Sequence, residues 1–198
     1  MRAGLAWIVA LTVGLLAGGF AFHFPGSYGE PTVSVGAAIF GFILGAVNGL
    51  LAGLLAWIAL RLPRSAASRL LLALVLIVGA THALNDGSST QVPFVVVQVL
   101  AGLAAAAVAA WALGLRRPSD LAVVGGAWAV GLVVAGWSGD VIGLPLTETP
   151  VGWAQDHAWD GLVTGLVWGA ATAAVGLPER LRGDRREDRT TTEAHAVR

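Results

Sequence analysis

Residues 35–60, VGAAIFGFILGAVNGLLAGLLAWIAL, contain no charged side chain from end to end. About 20 apolar residues carry a helix across the hydrocarbon core of a bilayer, so this stretch is long enough to span it with some tilt. Glycine recurs every fourth residue within it, at Gly41, Gly45, Gly49 and Gly53. Positions i and i+4 share one helical face, so these four form a stripe without side-chain bulk. Lipid tails are as apolar as leucine, so helices in a membrane associate through close van der Waals contact. A glycine stripe allows that contact.

Five further apolar stretches flank this one. Six spans are expected in all, at residues 3–22, 35–60, 70–84, 92–115, 121–137 and 158–177, the third of them short. The first is longer than a typical cleaved leader core and reads as a retained span. The composition agrees, with 56% hydrophobic and 12% charged residues and a mean hydropathy of +0.75. A soluble domain carries about a quarter charged residues, so an ordinary soluble globule is excluded, as is disorder of the bulk of the chain. Cysteine is absent, which excludes disulfides, thiolate zinc sites and iron–sulfur clusters. Lysine is absent too, which removes Schiff-base and Walker-type chemistry.

The expected fold is an all-α integral membrane protein. Residues 1–178 form one six-helix transmembrane domain, and 179–198 form a polar tail that is one helical turn followed by disorder. With six spans, all 12 basic residues, every one an arginine, fall on the side that holds both termini. The positive-inside rule places that side, with the 61–69 and 116–119 loops, in the cytoplasm of a cell-membrane, multi-pass protein. The outer loops at 23–34, 85–91 and 138–157 contain no arginine. Trp7, Trp57 and Trp111 near the inner ends, and Trp137, Trp153 and Trp159 near the outer ends, fit interfacial belts. Trp128 and Trp168 sit nearer mid-membrane, where packing between helices or facing lipid is the expected role rather than stacking on a ligand.

Small residues repeat with a period of about sixty residues. The stripe at 41, 45, 49 and 53 has counterparts at Gly102, Ala106, Ala110 and Gly114, and at Gly161, Gly165, Gly169 and Ala173. Three parallel-repeat helical hairpins with short loops are therefore expected, packed through Gly41, Gly45, Gly49, Gly53, Gly161, Gly165 and Gly169.

Few polar groups could carry chemistry. His82 and Asp86 are four residues apart, and His157 and Asp160 three apart, so each pair shares a helical face. This nitrogen and oxygen donor set suits a divalent metal, and His82, Asp86, His157 and Asp160 form the candidate metal site at the outer face. The competing reading is helix capping and an acidic vestibule that attracts cations, because Glu30, Asp86, Asp140, Glu148, Asp156 and Asp160 all map to that side. Asn48, Gln98 and Asp160 are the candidates for a substrate path. Buried amides act more often as glue between helices than as ligands. Ser138 and Gly139 lack the flanks of a nucleophile elbow, and no catalytic residue is assigned.

Three functions follow from these features. The favoured one is a small transporter, channel-type protein or substrate-binding membrane subunit with an acidic outer vestibule. The others are an accessory subunit of a membrane complex and a membrane metalloprotein. The expected partners are the lipid bilayer and a second copy or another membrane subunit, with no role for nucleic acid.

Overall fold

The computed structural model describes residues 2–21, 34–88, 92–142 and 150–183. The regular structure is helical: α1 Arg2–Ala21, α2 Val35–Leu60, α3 Arg64–Gly87, α4 Phe94–Ala112, α5 Pro118–Ile142, α6 Pro150–Ala174 and a short α7 Leu177–Gly183. Five of these helices are long and apolar enough to cross a membrane. The pair α6–α7, bent by 64°, makes a sixth if taken as one span. α3 extends well beyond the 70–84 stretch read from hydropathy, because Ser65, Ser68 and Arg69 at its start and Asn85 and Asp86 at its end are helical despite their polarity. α6 begins at Pro150, several residues before its apolar run, so Asp156 and His157 sit inside the helix.

The helix ends have local causes. Ser34 caps α2 by accepting a hydrogen bond from the Ala37 amide at 3.2 Å, which satisfies one otherwise unpaired donor of the first turn. Arg61 ends α2 in the left-handed region (φ 51°), and its amide bonds back to the Ile58 carbonyl. Pro63 follows at once and opens α3, since proline cannot continue a helix but suits its start. The Trp57 indole donates to the Leu62 carbonyl at 3.0 Å and pins this tight corner.

Each helix packs on its neighbours in chain order, and α6 packs on α1, so the bundle closes into a ring. The small residues lie in its seams. Gly41, Gly45 and Gly49 abut α3, where an added Cβ would strike Asp86, the Val78 carbonyl or the Leu74 carbonyl; Gly53 faces the Leu71 side chain. Gly161, Gly165 and Gly169 abut the α1 backbone between Leu15 and Ile8. Between α4 and α5, Gly102 and Gly125 face each other, each 2.6 Å from a Cβ built on the other when measured to its carbonyl oxygen.

The interior holds large rings where the seams hold none. Trp7, Trp128 and Trp168 are all buried. The rings of Trp128 and Trp168 meet edge to face with centroids 5.3 Å apart, and Trp7 lies against Trp168 at 6.3 Å. Trp7 is thus a core residue and not part of an interfacial belt: its indole donates to Thr172 Oγ1 at 2.8 Å. Trp111 and Trp137 are instead 70% and 66% exposed. Large side chains such as Leu5, Ile58, Leu103 and Val130 point outward from four different helices. A soluble monomer rarely exposes so much apolar surface, and lipid is the solvent that suits it. Several long apolar helices and this surface are compatible with a multi-pass membrane protein.

Candidate functional site

A chamber of about 60 Å³ lies inside the ring, lined by residues of α1, α2, α3, α5 and α6. Its polar lining comprises Asn48, Thr81, His82, Asn85, Asp86, His157, Asp160 and Thr164, while Leu15, Val78, Trp128 and Leu132 supply apolar walls. The lining residues of α3 lie in its second half, from Val78 to Asp86, and those of α6 run from His157 to Thr164, so the chamber sits away from the α3 end that carries Arg64 and Arg69. With a rise of about 1.5 Å per residue, it reaches from Asp86, one residue from the end of α3, to Asn48, roughly 20 Å along α2 from Val35.

Two glycines make room for this lining. A side chain at Gly41 would collide with the Asp86 carboxylate, and one at Gly18 would collide with the Asn48 amide oxygen. The small-residue seam between α2 and α3 therefore also admits an acidic side chain to the interior. His82 and His157 reach toward each other from α3 and α6, with ring centroids 6.1 Å apart and planes tilted by 45°.

All four candidate metal-site residues, His82, Asp86, His157 and Asp160, thus line one chamber although they come from helices distant in sequence. Among the described residues, no three histidine or acidic side chains converge closely enough to hold a metal ion. Asn48 lines the same chamber. It is 4% exposed, and its Oδ1 has no hydrogen-bond partner among the described residues. Thr164 Oγ1 is likewise buried and unpartnered. Buried polar atoms are nearly always hydrogen-bonded, so two orphaned oxygens in the lining of one cavity mark a place for water or a bound solute. Gln98 does not line the chamber. It reaches the wall through Asn85, donating from Nε2 to Asn85 Oδ1 at 2.8 Å, and so ties α4 to α3. The described lining contains no arginine or lysine.

Next to the chamber, Trp128, Trp168 and Trp7 form a buried column of rings in contact. Trp128 forms part of the wall and donates to Thr81 Oγ1 at 2.9 Å, while Thr81 donates to the Ile77 carbonyl at 2.8 Å. Trp168 donates to the Val124 carbonyl at 3.1 Å. Each indole is fixed by a named acceptor, so the column is anchored and not merely packed.

Spacing identified the two His/Asp pairs, but the chamber's Asn85 and the tryptophan floor carried no such signal. A lone amide at a helix end and scattered indoles look the same whether they face lipid, loop or core. His23, Glu30 and Glu148 lie outside the described residues. Comparison with protein-family profiles, curated proteins and solved structures returns no match.

Proposed function

We propose that this chain is a small transporter- or channel-type membrane protein, or the substrate-binding membrane subunit of one, whose inner chamber receives a small cation. The observation that carries this reading is the chamber itself. Two carboxylates, Asp86 and Asp160, and the unpartnered amide oxygen of Asn48 line one cavity whose described lining holds no lysine or arginine. Burying carboxylates in low dielectric is costly, and a cation that enters offsets that cost. The size bounds the guest. A volume of about 60 Å³ holds roughly four waters, or one small ion with part of its hydration shell. Vitamin- or drug-sized ligands need about 300 Å³ or more. Carboxylate and amide oxygens with imidazoles spread around the wall suit an ion held partly through water more than one chelated by three side chains.

The finer architecture that accompanies this reading is six spans built as three hairpins about a pseudo-threefold axis, with both termini and all arginines cytoplasmic. The seams support it: the glycine stripes of α2 and α6 each meet the first helix of the next hairpin, and Gly102 of α4 meets α5 in the same sense. The chamber then faces the exterior, and the tryptophan column closes it toward the cytoplasm.

The test is calorimetric titration of the detergent-purified protein with NH₄⁺, K⁺, Mg²⁺ and Zn²⁺ chlorides, paired with flux of the same ions in proteoliposomes. At least one ion should bind at about one per chain. Asp160→Asn and Asp86→Asn should each weaken it by about tenfold or more, equivalent to ~1.4 kcal/mol. Absence of binding by all four ions, or binding untouched by both substitutions, overturns the reading.

A further inference from the structure

A second cavity lies at the arginine-bearing end of the bundle and has the opposite character. It measures about 350 Å³ and is enclosed by the start of α3, the 113–117 connection, the start of α5 and α7. Its cationic rim is Arg69, Arg116, Arg117 and Arg180, and its one acid is Asp120. Its floor is apolar, made of Leu113, Leu115, Leu177 and Leu181, each less than a tenth exposed.

The backbone explains how one short connection supplies both floor and rim. Gly114 takes φ +69°, a conformation that favours glycine, and the reversal there turns Leu113 and Leu115 inward. The exposed Arg116 and Arg117 follow at once before Pro118 opens α5. The acid is already engaged: Arg180 Nη1 donates to Asp120 Oδ2 at 2.5 Å, and Arg180 Nη2 donates to the Val175 carbonyl at 2.8 Å. Four arginines and one aspartate give the lining a strong formal excess of positive charge. Guanidinium groups gathered around one void repel one another, and an anion among them offsets that repulsion.

We infer that this cleft binds a phosphate group, with the guanidinium rim on the phosphate oxygens and the leucine floor beneath the apolar part of whatever bears it. Guanidinium forks match phosphate geometry, and a phosphate carries enough charge to offset several of them. The volume falls within the range of small-molecule sites and exceeds what a single hydrated ion needs. Two sources supply this chemistry: the headgroup of an anionic phospholipid, for which the leucine floor and the exposed Trp111 on α4 are suitable company, and a free phosphate in solution.

The experiment uses the whole protein in detergent and reads thermal shift together with native mass spectrometry. The probes are dioctanoyl phosphatidic acid, dioctanoyl phosphatidylcholine and inorganic phosphate. The acidic lipid should stabilise the protein and remain bound where the zwitterionic one does not. The double variant Arg116→Gln/Arg117→Gln should weaken this by about tenfold or more, while Arg182→Gln, outside the cleft, should not. Stabilisation by inorganic phosphate at comparable concentration identifies a soluble source, and stabilisation by the lipid alone identifies the membrane. Should the glutamine double variant not fold, Arg116→Lys/Arg117→Lys keeps the charge but removes the forks, and a severalfold weaker affinity is expected. Equal binding of the two lipids with no effect of phosphate, or affinity unchanged in the arginine variants, overturns the inference. The site is independent of the cation chamber, and neither result bears on the other.

Discussion

Alanine in place of Gly165 puts one methyl carbon between α6 and α1. That carbon would stand 2.7 Å from Thr12 Cα, 3.2 Å from the Thr12 amide nitrogen and 3.3 Å from the Leu11 carbonyl oxygen. Comfortable carbon–carbon contact begins near about 3.5 Å, so α1 must retreat by roughly 0.8 Å. All three neighbours are main-chain atoms, and no side-chain rotation relieves the clash. Overpacking of this kind costs about 1–3 kcal/mol, and the retreat also loosens the contacts of Gly161 and Gly169 on the same seam. Alanine returns up to about 1 kcal/mol through its better helix propensity, so a net loss of roughly 1–2 kcal/mol is expected. Gly126 supplies the control: it is an exposed α5 glycine with nothing within 4 Å of an added Cβ. Thermal unfolding in detergent, followed by tryptophan fluorescence, should show a lowered midpoint for Gly165→Ala and an unchanged or slightly raised one for Gly126→Ala. Equal midpoints for the two variants would refute the close approach of α6 to α1.

Thr81→Val leaves the buried Trp128 indole N–H without its acceptor and should cost about 1–3 kcal/mol in the same thermal assay. Gln98→Leu removes the bond to Asn85 that joins α4 to α3, and a smaller loss of about 0.6–2 kcal/mol is expected. Trp168→Ala removes the middle ring of the tryptophan column. Ion leakage from loaded proteoliposomes should rise well above that of the parent protein if the column is the seal. Leakage at the parent level in a folded variant places the seal elsewhere.

The helices were legible in the sequence because apolar length and glycine spacing are local signals. The stretch 35–60 announces both its span and its packing face without reference to the rest of the chain. The ends of α3 and α6 were less so. Asp86 and His157 fall within the outer loops read from hydropathy, yet α3 and α6 extend to carry them into the ring, where Gly41 leaves space for the Asp86 carboxylate. His82 and Asp160 were singled out by spacing, which gives each pair a common face but not which faces meet. Bringing both pairs to one chamber required the closure of α6 on α1, a contact between the two ends of the chain. Trp7 shows the same limit: an indole seven residues from the start reads as an interfacial anchor, but Thr172, 165 residues away, supplies its buried acceptor. The Asn48 oxygen, by contrast, needed atomic placement, since an amide beside a glycine stripe reads equally well as glue between helices.

The most direct measurement exploits the absence of cysteine from the chain. Single cysteines at Asn85, in the chamber wall, and at Leu115, in the arginine cleft, are exposed to a membrane-impermeant cationic thiol reagent on oriented vesicles. The Asn85→Cys thiol should react from the exterior only and more slowly once Asp160→Asn is added, because the local carboxylate attracts the reagent. The Leu115→Cys thiol should react from the cytoplasmic side only. Reaction of both thiols from the same side, or of the chamber thiol from the cytoplasm alone, would contradict a one-sided cation chamber closed beneath by tryptophan.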